Sequence, residues 1–191
     1  MMARWSLESD QTPATGGRAT SMRMTSGIIV SAIVEQDGHL LMVREQHPGH
    51  PPQWVLPGGL SERGELVHQA FVREVREETG LIVAAPTELA FVAQYTITGE
   101  PGWDGEWTVF AFAAGPPVGR IDVADPDGLV LEAAWVPFED AVARLAEHHF
   151  KPRRDPLLAY LTEEVAPGAL WLWPDGVHAA PFIVQSSLSA L

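Results

Sequence analysis

Apolar positions in this chain come in short runs separated by Gly, Pro and Asp, and the spacing within each run predicts an element. Ile28-Ile29-Val30-Ser31-Ala32-Ile33-Val34 is continuous and mostly β-branched, the pattern of a strand buried on both faces. Asp37-Gly38 follows, then Leu40-Leu41-Met42-Val43. An Asp-Gly pair between two apolar runs signals a hairpin. Prolines make residues 47–53 a loop, and Trp54-Val55-Leu56 is a short strand halted by Pro57-Gly58-Gly59. Residues 66–79 hold no Gly or Pro and read as a helix, which Gly80 ends as a left-handed cap. Further strands are expected at 88–98, 107–114 and 129–136, and helices at 138–148 and 155–165. Strands in clusters, with helices between and after them, predict an α/β fold: a mixed sheet flanked by helices.

The ends differ from this middle. Residues 1–25 are rich in Ser, Thr, Gly and Ala without periodicity and read as a flexible leader, in which Met22 and Met24 leave a later start open. One domain is expected over 26–166. The tail, 167–191, carries Leu170-Trp171-Leu172-Trp173 and Pro181-Phe182-Ile183-Val184. It is apolar enough to pack on this domain or on a second subunit, so a homodimer is one reading.

Composition narrows the function. The net charge is −13, from 25 acidic and 12 basic residues. Such a chain repels nucleic-acid backbones and anionic membranes, so neither is an expected partner. It also repels free polyphosphate, and an acidic protein that handles phosphates needs cations, most simply a divalent metal. There are no cysteines, which excludes disulfides, thiolate metal sites and cysteine nucleophiles. No apolar run is long enough to span a membrane, and no secretory pattern opens the chain, so a cytoplasmic location is the expectation.

The chemistry lies in residues 59–81, GLSERGELVHQAFVREVREETGL. Glu74, Glu77 and Glu78 stand at i, i+3 and i+4, spanning about 100° of one side of the predicted helix. Three neighbouring carboxylates repel one another, and the C-terminal end of a helix already disfavours negative charge. Pairing with Arg73 and Arg76 on a solvated face is one remedy. A hard divalent cation with oxygen ligands, Mg²⁺ above all, is the other.

The whole segment decides between them. Gly59, Glu65, Arg73, Glu74, Val75, Glu77, Glu78, Gly80 and Leu81 fill the pattern G-x5-E-x7-R-E-aliphatic-x-E-E-x-G-aliphatic at every fixed position. In this the chain resembles the Nudix hydrolases, and more weakly so over about 27–165. The resemblance implies a Nudix-like α/β/α sandwich. It implies an Mg²⁺-dependent pyrophosphohydrolase, with Mn²⁺ as a substitute, acting on a small-molecule nucleoside diphosphate derivative through attack of an activated water at phosphorus. Glu77 and Glu78 resemble the principal metal ligands, and Glu74 a further ligand or the general base. The Gly58 carbonyl resembles an additional ligand. Arg73 resembles the arginine that orients the glutamates, with Glu65 as its partner. Gly59 and Gly80 are structural.

Outside the box, Asp104, Glu106, Asp125, Asp127 and Glu132 rival Glu74 as general base. Arg44, at the end of the second strand, is a candidate phosphate contact. Trp103, in a Gly-rich loop, is a candidate for stacking on a base, whereas Trp54 and Trp107 are expected in the core. Lys151, Arg153 and Arg154 form the densest basic cluster of the chain and could reach a phosphate, but solvated capping of the neighbouring helices is the expected role; the adjacent His148 and His149 point apart on a helix. No marker of a substrate subtype is present, which leaves nucleoside triphosphates, nucleotide sugars and ADP-ribose open. An isomerase of the same fold needs a cysteine that this chain lacks, and a role in RNA decapping conflicts with the charge. The alternative of another class is a sensing domain that binds nucleotides without cleaving them, against which the intact acidic positions argue.

Overall fold

A computed structural model describes residues 25–100 and 103–185. The expected leader, apart from Thr25, and the last residues of the tail lie outside them. In chain order the elements are β1 (Thr25–Gln36), β2 (His39–Glu45), β3 (Gln53–Val55), α1 (Val67–Thr79), β4 (Glu88–Ile97), β5 (Gly105–Ala114) and β6 (Val130–Pro137). Then come α2 (Phe138–Ala146), α3 (Lys151–Leu161), β7 (Ala169–Trp173) and β8 (Phe182–Val184).

The strands run in the order β3-β2-β1-β5-β4-β7-β8, with β6 on the other edge of β2. β1 pairs parallel with β5 over most of its length and turns antiparallel into β2 at Glu35 and Gln36. The turn is the Asp37-Gly38 hairpin, with both residues at positive φ. The pairings β1·β5 and β4·β7 are parallel and the rest antiparallel, so the sheet is mixed.

Alternation along β1 explains its unbroken apolar run. Ile33 enters the cluster with Leu40, Met42 and Leu145, which lies under α2 and α3. Ala32 and Val34 enter the cluster with Phe71 and Val75 of α1. Each face of the strand thus meets a helical layer, giving an α/β/α sandwich in which α1 stands alone on one side.

The largest differences from the sequence reading lie in α3 and in the tail. α3 begins at Lys151, four residues before the expected 155, and ends at Leu161. Pro152 sits in its first turn, where the missing N–H has no partner to lose. The helix stops because Glu163 turns left-handed, with φ 56°. The other difference is β7, which adds Leu170-Trp171-Leu172-Trp173 to the sheet in parallel with β4. Trp171 and Trp173 are buried there, and β8 pairs with β7 as an edge strand.

Candidate active site

The loop after β3 is tied down before α1 begins. The N–H groups of Val30 and Ala32 donate to the carbonyls of Gly59 (2.9 Å) and Pro57 (2.8 Å), so residues 57–59 run along the free edge of β1. Gly58 has φ 152°, and a Cβ there would lie 2.1 Å from the Val30 carbonyl oxygen. Only glycine permits this approach. With its neighbours' carbonyls both bonded to β1, that of Gly58 accepts no hydrogen bond from any described residue.

α1 then delivers its carboxylates to this loop. Its start is fixed by Leu66 N–H donating to Gln69 Oε1 (2.9 Å), and its end by Gly80 at φ 74°. Phe71 and Val75 face the sheet and are fully buried. That orientation turns Glu74 and Glu78 toward the loop, where they are buried as well. Glu78 Oε2 accepts the Gly58 N–H at 2.8 Å. Glu74 lies so close to Gly59 that a Cβ on the glycine would stand 2.6 Å from its Oε1.

Arg73 binds the group together. Its Nε and Nη2 hold Glu65 in a fork (2.9 and 3.0 Å), and Nη1 reaches Glu74 Oε1 (2.8 Å) and Glu77 Oε2 (3.1 Å). Nη2 also donates to the Leu60 carbonyl at 2.9 Å. The hydrogen bonds to Glu65 foremost, with help from Glu74 and Glu77, raise the Arg73 pKa above its ordinary value.

The electrostatics are dominated by burial. Burial pushes the Glu78 carboxyl up to about 9; the Gly58 N–H opposes this, and the charges of Glu74, Glu45 and Asp125 reinforce it. Burial also raises Glu74, to about 7, despite its contact with Arg73, and Glu77 and Asp127 add to the rise. Among the described residues no three carboxylate or imidazole groups are arranged as a metal site, and Glu77 is turned to Arg73.

The other sequence candidates separate. Asp125 and Asp127 lie near enough for their charges to act on Glu78 and Glu74, but Asp125 Oδ2 is held by the N–H groups of Leu129 (2.7 Å) and Val130 (2.8 Å). Asp104 accepts from Glu100 N–H (3.1 Å), and Glu106 is exposed on β5. Glu132 is paired with Arg44, whose Nε stands 2.6 Å from it, so Arg44 faces a strand partner and not the α1 carboxylates. Trp103 is 45% exposed and packs against Trp107 (ring centroids 5.5 Å apart) and edge-on to His47 (6.2 Å). Trp107 is buried, as expected, and Trp54 packs on the core beneath Arg144.

The basic cluster is not a set of solvated caps. Lys151 donates to the His178 carbonyl and Arg154 to Asp155, but Arg153 Nη1 donates to Glu45 Oε1 at 2.8 Å. Glu45, which sequence reasoning passed over, is 8% exposed, and His47 Nε2 lies 3.5 Å from the same oxygen. Its one cue was a charged residue closing an apolar strand, with nothing to name its partner.

A family model described as NUDIX domain matches residues 25–161. The chain is similar to the ADP-ribose pyrophosphatase of Methanocaldococcus jannaschii, 42% identical over 55 residues (29% of this chain and 32% of that protein). It is similar also to the 8-oxo-dGDP phosphatase NUDT18 of Mus musculus, 31% identical over 111 residues (58% and 32%). The chain thus matches about a third of the length of each of these relatives. A solved NUDIX hydrolase from Nitrosomonas europaea has the same fold, with a TM-score of 0.61 at 26% identity, covering 75% of this chain and 93% of that one. Box, sandwich and family model coincide over most of the sequence, and the chain belongs to the Nudix family.

Proposed function

We propose that the chain is a divalent-metal-dependent pyrophosphohydrolase that cleaves a phosphoanhydride bond in a nucleoside diphosphate linked to another group. The observation that carries this reading is the junction of α1 with the loop at Gly58 and Gly59. Two buried carboxylates, Glu74 and Glu78, lie against that backbone, and the Gly58 carbonyl accepts no hydrogen bond from a described residue.

These donors suit Mg²⁺. All are hard oxygens, they are held on a helix and a loop bonded to β1, and the carboxylates crowd one another enough to favour a cation between them. Glu78 and the Gly58 carbonyl would hold the metal, with Glu77 as a further ligand once released from Arg73, and Glu74 would serve either as another ligand or as the base. When bound, the ion neutralises diphosphate oxygens and lowers the pKa of the attacking water.

The chain's own groups do the rest. Arg73 fixes the side-chain rotamers of Glu65, Glu74 and Glu77, so the carboxylates are positioned before substrate arrives. Glu74 is the general base we favour, because it is buried beside the loop and keeps one oxygen, Oε2, free of Arg73. Asp127 is the rival whose charge reaches it. Trp103 offers an exposed aromatic face to a nucleobase. The two curated relatives are named for ADP-ribose and 8-oxo-dGDP. Both are nucleoside diphosphate compounds, and that common part is the substrate class we assign.

The test is hydrolysis of a panel holding ADP-ribose, nucleotide sugars and nucleoside di- and triphosphates, with and without Mg²⁺, beside Glu78→Gln. Metal-dependent release of a nucleoside monophosphate, lost in the variant, supports the reading. Tight binding of a nucleotide with no turnover would transfer the assignment to a sensing domain.

A further inference from the structure

Two guanidinium groups act on the carboxylates of α1, and they are used differently. Arg73 bonds through all three nitrogens, to three carboxylates and a carbonyl. Arg153, in the first turn of α3, has one bond, from Nη1 to Glu45. Its Nε and Nη2 donate to no described group, and its side chain is 41% exposed. A guanidinium presents five N–H donors in a planar fork matched to carboxylates and phosphates, so most of this fork is open.

Its bond to Glu45 places it at the end of β2, where its charge interacts with Tyr95 on β4 and Glu78 on α1. Glu45 in turn acts on Glu78. Arg153 thus reaches from α3 to the end of β2, where its charge acts on Glu78 of α1. Tyr95 is buried there, with the ring of Phe150, which caps α3, standing edge-on at 5.2 Å. Glu45 is a fixed anchor, since it is itself buried and flanked by His47. A pair serving only to tie α3 to β2 would be expected to close both forks on each other. This one uses a single nitrogen and leaves the rest of a half-exposed cation without a described partner, in an acidic protein that must attract an anionic substrate.

We propose that Arg153 is a substrate-binding residue, whose free Nε and Nη2 hydrogens take a phosphate oxygen of the nucleotide beside Glu78, and that Glu45 is the positioning residue that holds the guanidinium there. The inference rests on the reading of α1 as a hydrolytic site, and the test separates the two. Charge-assisted bonds to phosphate are shorter and stronger than neutral ones. They act on ground state and transition state alike when the phosphate does not react, which raises KM and spares kcat.

The experiment pairs steady-state hydrolysis with a ¹⁵N spectrum of the arginine Nε–H signals during titration with inorganic pyrophosphate. Arg153→Ala should raise KM by about 10- to 100-fold with kcat within about threefold, Arg153→Lys should fall between it and the parent, and Arg154→Ala should stay within about twofold. Pyrophosphate should shift the Arg153 signal in the parent and less so in Glu45→Gln. An unchanged KM in Arg153→Ala, an equal rise in Arg154→Ala, or an unmoved Arg153 signal overturns the proposal even if the chain is a hydrolase. A shifted signal in a chain that turns nothing over sustains the phosphate site and removes the hydrolytic reading instead. The lysine variant keeps a cation opposite Glu45, so it serves if the alanine variant does not fold.

Discussion

Gly58 and Glu78 are twenty residues apart in sequence and joined by a 2.8 Å hydrogen bond from the backbone N–H of the first to Oε2 of the second. That bond fastens the helix that carries the carboxylates to the loop along β1. It predicts that Gly58 and Gly59 fail differently when replaced. In Gly58→Ala the new methyl meets the Val30 carbonyl, at a φ that L-residues rarely adopt. Backbone strain and clash should together cost about 2–4 kcal/mol, read as a lower melting temperature, and activity should fall with it. In Gly59→Ala the methyl first meets the Glu74 carboxylate, the end of a side chain that can move. Stability should change by less than about 1.5 kcal/mol while kcat falls at least about tenfold. Equal melting losses in the two variants would argue against this division of roles.

Arg73 is the cation that offsets Glu65, Glu74 and Glu77. Arg73→Lys keeps the charge but cannot hold Glu65 through a fork and reach Glu74 and Glu77 as well. Melting should show a loss of about 1–3 kcal/mol, and kcat should fall further than KM rises, because carboxylate positioning is what is lost. A variant with normal kcat would mean that Arg73 is a surface brace only.

Acid should unfold the protein in two stages. Burial lowers His148 to about 4, aided by the charges of Arg153 and His149. A histidine kept neutral by the fold contributes stability that is full above its ordinary 6.5 and fades as pH falls toward about 4. Glu45 supplies the second stage. Burial alone would raise it, but the Arg153 charge and hydrogen bonds from His47 and Arg153 bring it down to about 2. Its contribution is full above the ordinary carboxylate value and is lost as pH falls through about 2, on the order of 3 kcal/mol in all. Chemical denaturation across pH should show the lower stage flattened in Glu45→Gln and the upper one in His148→Gln. Unaltered profiles would contradict these environments.

Trp103 presents an exposed face above Trp107. If a base stacks there, Trp103→Ala raises KM for nucleotide substrates by about 5- to 50-fold and leaves the affinity for inorganic pyrophosphate, read by titration, unchanged. Equal effects on both would place the base elsewhere.

What could be read from the sequence was local. Glu74, Glu77 and Glu78 share a helix turn, so their common side follows from spacing, and Glu65 to Arg73 spans only the helix entry and the first two turns of α1. β1 betrayed its two buried faces by its unbroken β-branched run. The start of α3 was hidden because Pro156 reads as a helix beginning, whereas it stands in the second turn. Glu45 and Arg153 are 108 residues apart and meet only through the packing of α3 over the end of β2. Arg44, next to Glu45, stood out as the charged candidate, yet its cross-strand neighbour on β6 is Glu132. β7 was visible as an apolar segment, but its parallel place beside β4 follows from a crossover that no local pattern encodes.

The central claim is that carboxylates anchored to the Gly58-Gly59 loop drive metal-dependent cleavage of a diphosphate. The most direct measurement is the hydrolysis rate of ADP-ribose and of nucleoside di- and triphosphates as Mg²⁺ is titrated, for the parent and Glu78→Gln. The account predicts turnover that requires Mg²⁺, vanishes with a chelator, and falls by about 10³-fold or more in the variant, the loss expected when a site's principal electrostatic group is removed. Turnover that persists without metal, or undiminished in Glu78→Gln, would contradict it.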